Sequence, residues 1–100
     1  LAKVPNGVYF EMRGNYMRTP YIAPGQVLIE LSQNLTNGFY EFSNNVIKSE
    51  VPIYLLNGGV SVTAPFIIRD NVFLTKAQLS KIPLTSQSGL VVSNNVNLAV

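Results

Sequence analysis

One phrase recurs along this chain. Phe42-Ser43-Asn44-Asn45-Val46, Ile68-Arg69-Asp70-Asn71-Val72 and Val92-Ser93-Asn94-Asn95-Val96 share one pattern: apolar, polar, Asn or Asp, Asn, Val. Met12-Arg13-Gly14-Asn15-Tyr16 is a looser copy. The copies begin at residues 12, 42, 68 and 92, in steps of 30, 26 and 24. A repeat of this kind constrains architecture strongly and chemistry weakly.

Asn and Asp tolerate positive φ better than other residues with a side chain, and two-residue hairpin loops need it. The flanks are β-branched and aromatic: Ile67-Ile68 before Asp70, Val72-Phe73-Leu74 after Asn71. Together these features read as β-hairpins. In such a hairpin Ile68 faces Phe73 and Ile67 faces Leu74. One face then carries Ile67, Val72 and Leu74, and the other Phe66, Ile68 and Phe73. The last copy repeats this, with Val91 and Leu98 on one side and Leu90, Val92 and Ala99 on the other. A ribbon apolar on both faces needs cover on both.

Charged residues are 12% and hydrophobic residues 47%, against a usual charged share of about 25%. The deficit suits a protein packed against copies of itself or other subunits. It equally suits a small β-domain with an Asn, Ser, Thr and Gln surface. A net charge of +2, carried by scattered basic residues, is too small to imply nucleic acid, and none is expected as a partner. No run reaches the roughly 18 apolar residues of a membrane helix. The chain begins with Leu1 rather than Met, which suggests a processed chain or a piece of a longer one.

The remaining segments read as short strands between turns. Val8 to Met12 alternates, with Val8, Phe10 and Met12 on one face. In Gln26 to Leu31, Val27, Ile29 and Leu31 share a face. Val51 to Leu56 and Val60 to Thr63 follow, separated by Asn57-Gly58-Gly59. Thr75 could cap a single helical turn that Pro83 ends. The expectation is an all-β fold, an antiparallel hairpin-rich sandwich or barrel with at most one short helical turn near 75–82. Residues 1–85 would form the compact domain, and 86–100 a linker and terminal hairpin for a shaft or inter-subunit contact.

Catalytic options are few. Neither Cys nor His is present, so nucleophile and base roles fall to Asp, Glu, Lys, Tyr, Ser and Thr. Glu11, Glu30, Glu41, Glu50 and Asp70 are the whole carboxylate supply, and a glycosidase needs two of them across a cleft. Glu11, Glu30 and Glu41 occupy polar positions of alternating strands, where solvated or paired carboxylates are ordinary. Asp70-Asn71 lacks the spaced ligands of a calcium loop, and Asn57-Gly58-Gly59 lacks the rest of a P-loop. No catalytic residue, metal site or cofactor is expected. Tyr9, Tyr16, Tyr40 and Tyr54 are candidates for stacking on a sugar, though strand packing and interface filling is the favoured reading, since no spacing singles out a platform. Asn34-Leu35-Thr36 matches an N-glycosylation sequon on a polar loop.

Pro65 to Leu74 and Gly89 to Leu98 align without a gap: Pro or Gly, three apolar residues, a polar residue, a two-residue turn, a return strand. This pattern, over 65–75 and 89–100, resembles the shaft repeat of trimeric viral fibres of the adenovirus type. There the copies lie closer together, and residues 1–64 here carry extra strands. The resemblance implies a non-enzymatic structural component of a virus or phage particle, such as a fibre, spike, head-decoration or tail protein. Its partners would be itself, as a homotrimer, and other virion subunits. Phe66, Ile68, Phe73, Leu90, Val92 and Leu98 are then the candidate assembly residues. The alternative is a secreted or surface carbohydrate-binding or adhesion domain with a host glycan as receptor.

Overall fold

The step between copies of the phrase is the distance along the chain between strands that pair. In the computed structural model, which describes residues 2–19 and 27–99, Tyr9 lies beside Phe39, Tyr40 beside Phe66 and Phe66 beside Leu90. Asn15, Asn45, Asn71 and Asn95 meet at the same separations of 30, 26 and 24 residues. Among the described residues all pairings between strands are parallel. The chain is a parallel β-solenoid, with no helix among the described residues.

Each turn of the solenoid is a rung. β1 (Ala2–Val4) lies against the first rung, which is β2 (Tyr9–Arg13), β3 (Tyr16–Thr19) and β4 (Val27–Leu31). The second is β5 (Phe39–Ser43), β6 (Val46–Ser49) and β7 (Ile53–Leu56). The third is β8 (Phe66–Arg69) and the long β9 (Val72–Ser80), and the fourth is β10 (Leu90–Ser93) and β11 (Val96–Ala99). One sheet runs β10-β8-β5-β2. The other folds around β9, whose first half takes β6 and whose second half takes β7.

This overturns the antiparallel hairpin expectation. Ile68 does not face Phe73; its neighbours are Phe42 and Val92, the same position in adjacent rungs. The repeated phrase is a corner. Its first turn residue takes positive φ in every rung: Gly14 at 68°, Asn44 at 54°, Asp70 at 56° and Asn94 at 54°. The asparagine that follows bonds to its counterparts, and it is fully buried in the two middle rungs, at Asn45 and Asn71. Asn45 Oδ1 accepts from Asn15 N and Nδ2 at 3.0 and 3.1 Å, and Asn71 Oδ1 from Asn45 N and Nδ2 at 2.9 and 3.1 Å. Asn95 Oδ1 accepts from Asn71 N and Nδ2 at 3.1 and 2.9 Å. Each lower amide also donates to a carbonyl of the preceding rung, Asn45 to Met12, Asn71 to Phe42 and Asn95 to Ile68, all at 3.0 Å. A buried amide is tolerated only when its polar atoms are bonded, and this column bonds them rung after rung. Hairpins leave no such use for the second asparagine.

The short helical turn near 75–82 is overturned too. Lys76 and Gln78 are exposed while Ala77 and Leu79 are buried, the period of two of a strand with one face inward. Burying Leu79 against the core outweighs the weak helix preference of these residues. Inside the solenoid, Phe10, Tyr40, Phe66 and Leu90 form one column and Met12, Phe42, Ile68 and Val92 another. Tyr40, Phe42, Phe66, Ile68, Ile47 and Phe73 are fully buried. The connecting loops stack as well: Leu35 bridges to Val62, and both are buried. Gly58, at φ 85°, lies so close to the Ile82 carbonyl that a Cβ would overlap it. Among the described residues no helix is long and apolar enough to cross a membrane.

Candidate functional site

Because inward positions are committed to the core, recognition chemistry must sit on outward columns. On the β10-β8-β5-β2 sheet these are Tyr9 and Phe39; Glu11, Glu41, Ile67 and Val91; and Arg13, Ser43, Arg69 and Ser93. The first two rungs differ sharply from the last two.

In rungs one and two the exterior is aromatic and charged. Tyr9, 71% exposed, stacks on Phe39 with centroids 5.5 Å apart and planes at 23°. The Tyr9 hydroxyl donates to Glu11 Oε2. Arg13 Nε lies 3.3 Å from Glu11 Oε1 and its Nη1 3.7 Å from Glu41 Oε2. Glu41 is buried although it points outward, covered by its partners: Ser43 Oγ donates to Oε2 at 2.8 Å and Arg69 Nη2 at 3.3 Å. Arg69 also donates to Asp70 at 3.0 Å, which ties the network to the corner. The bond to Glu11 raises the pKa of the Tyr9 phenol, with desolvation and the Glu11 and Glu41 charges adding and Arg13 opposing. Charged partners fix the ring without covering it.

In rungs three and four the same exterior is apolar. Val91 is 53% exposed, and Ile67 below it is half-buried. Around the Asp70 and Asn94 corner, Val96 is 51% and Leu74 48% exposed, and Val72, beside Val96 in the same column, is half-buried. The apolar strip therefore covers both flanks of one corner.

The sequence candidates separate accordingly. Tyr40 is buried, stacks on Phe66 at 5.5 Å, and its hydroxyl lies 3.0 Å from both the Pro5 and the Asn37 carbonyl, which share its one hydrogen, so it serves the core. Tyr16 is exposed on β3, around the corner from Tyr9, and Tyr54 is half-buried on β7. The four tyrosines form no common platform; Tyr9 acts with Phe39. Of the assembly candidates, Phe66, Ile68 and Phe73 lie fully buried within the chain. Leu90 and Val92 are half-buried in the last rung, and Leu98 pairs through its backbone with Ala77. No known protein family, curated protein or solved structure matches the chain. The reading of function therefore rests on this geometry.

Phe39, Val91 and Val96 carry the two exterior patches without having been singled out as site residues. The signal was available in the repeat step: adding 30 to Tyr9 gives Phe39.

Proposed function

We propose that this chain is a non-enzymatic structural subunit that works by lateral assembly with copies of itself, three around an axis. The setting that fits is a virus or phage particle, as part of a fibre, spike, decoration or tail. The observation that carries the reading is the exposed apolar strip of Val91, Val96 and Leu74, extended by Ile67 and Val72. A flat apolar face suits a twofold pair. A convex corner that is apolar on both flanks suits a closed heterologous ring, in which one flank of each copy meets the other flank of the next. The low charged content of 12% supports the same reading, and exposed strips of this kind mark contact surfaces. Sedimentation equilibrium over a wide concentration range tests it. A trimer that becomes a monomer in the Val91→Lys, Val96→Lys double variant is the expected result. A wild-type chain that stays monomeric at the highest concentration overturns it.

A further inference from the structure

We infer that the exterior of rungs one and two is a carbohydrate-binding site for uncharged oligosaccharides, separate from the apolar strip. Tyr9, 71% exposed, and the half-buried Phe39 on which it stacks form an aromatic pair on the exterior. In the corresponding positions of rungs three and four stand Pro65 and Gly89, so the platform belongs to this end alone. A pyranose offers a ring face of C–H groups bordered by hydroxyls. Such a face stacks on an aromatic ring, and its hydroxyls need both donors and acceptors at the ring's edge.

The neighbouring outward positions supply both. Glu11 accepts from Tyr9 and Arg13 and keeps lone pairs on each oxygen. Arg13 uses Nε toward Glu11 and Nη1 toward Glu41, which leaves guanidinium hydrogens for a ligand. Ring, acceptor and donor follow at positions 9, 11 and 13 of one strand, a span of about 13 Å. That length suits a short oligosaccharide lying along the strand rather than one sugar. The network also fixes the chemical class. Both arginines on this face are held by carboxylates, so an acidic sugar would meet Glu11 and Glu41 without a free cation to balance it. The Tyr9 hydroxyl is held by Glu11, so the ring is oriented before a ligand arrives, which lowers the ordering cost of binding.

The test uses the whole chain on a printed array of neutral and acidic oligosaccharides, followed by titration calorimetry with neutral glucose-, mannose- and galactose-based tetraoses. The expected result is retention on neutral glycans, with affinity lowered roughly tenfold or more by Tyr9→Ala and less by Tyr9→Phe. Circular dichroism should show Tyr9→Ala folded, since the ring is largely exposed. The Val91→Lys, Val96→Lys variant should keep its affinity per chain, which separates this site from the assembly strip. Absence of neutral-glycan binding at millimolar ligand, binding to acidic glycans only, or binding unchanged in Tyr9→Ala would each overturn the inference.

Discussion

The two ends of this solenoid share an interior and differ in their exterior. Inside, Met12, Phe42, Ile68 and Val92 occupy one column and Asn15, Asn45, Asn71 and Asn95 another, so every rung meets the same demand. Outside, one column reads Glu11, Glu41, Ile67, Val91. Its first half takes part in a hydrogen-bonded charge network and its second half is bare hydrocarbon. The fold thus places no requirement on what an outward position carries beyond strand compatibility. Chemistry that varies there while the interior stays constant is where function is written.

The largest effect should come from the shared interior. Asn71→Leu keeps the branching of the side chain but leaves Asn45 N, the Asn45 amide and the Phe42 carbonyl without Asn71 as a partner. A loss of about 3 kcal/mol, or a Tm lower by roughly 15 °C, is expected in thermal melts. An equal melt would show that the column is decorative and that exterior and interior are not so different. Next comes Glu41→Ala, which removes the carboxylate held by Ser43 and Arg69; about 1–2 kcal/mol should be lost in urea unfolding. Charging the apolar half sharpens the contrast: Val91→Lys with Val96→Lys should dissolve the proposed oligomer while monomer stability moves by no more than about 0.5 kcal/mol, since both side chains are about half exposed.

The smallest effect is a titration. The Tyr9 phenol has a raised pKa in the folded chain, so its proton is held more tightly there than in the unfolded chain. The associated stability is present below the ordinary tyrosine range and is lost as pH rises through the folded value. Carbon-13 spectra of the Tyr9 ring should show it titrating above the ordinary tyrosine range, and Glu11→Gln should bring it back down. Identical titration in the two proteins would remove the case for an oriented ring.

Much of this was legible in the residues. The repeated phrase, its steps and the all-β character stood in the sequence, and the division into one face with Phe66, Ile68 and Phe73 and another with Ile67, Val72 and Leu74 is the division between inside and outside. The direction of pairing was not legible. Asn44-Asn45 suits a hairpin loop and a solenoid corner equally by local conformation, because both need one residue at positive φ. What separates them is whether the second asparagine finds its counterpart 26 residues on, a long-range fact. The stretch near 75–82 failed for a related reason: local helix preference is weak, and the burial of Ala77 and Leu79 is decided by β7 beside them. Tyr9 was visible as a candidate and Phe39 was not, since their contact spans a whole rung. Glu41 fits its reading as a paired carboxylate, though neither arginine partner could be named without knowing which strands adjoin.

The asparagine column also bears on how the chain finds its alignment. Sliding one rung past its neighbour by one residue would turn every inward side chain outward. Sliding by two would restore the alternation of apolar residues but set Asn45 against Phe73 or Arg69 instead of Asn71, with its amide stranded. Hydrocarbon alone distinguishes poorly between such even slips. The amides distinguish sharply, because only the native offset gives each of them a like partner. The column is therefore a proofreading mark. Once two neighbouring rungs have matched, each further rung can be checked against the last as it is laid down, as in other arrays where units meet only their nearest neighbours.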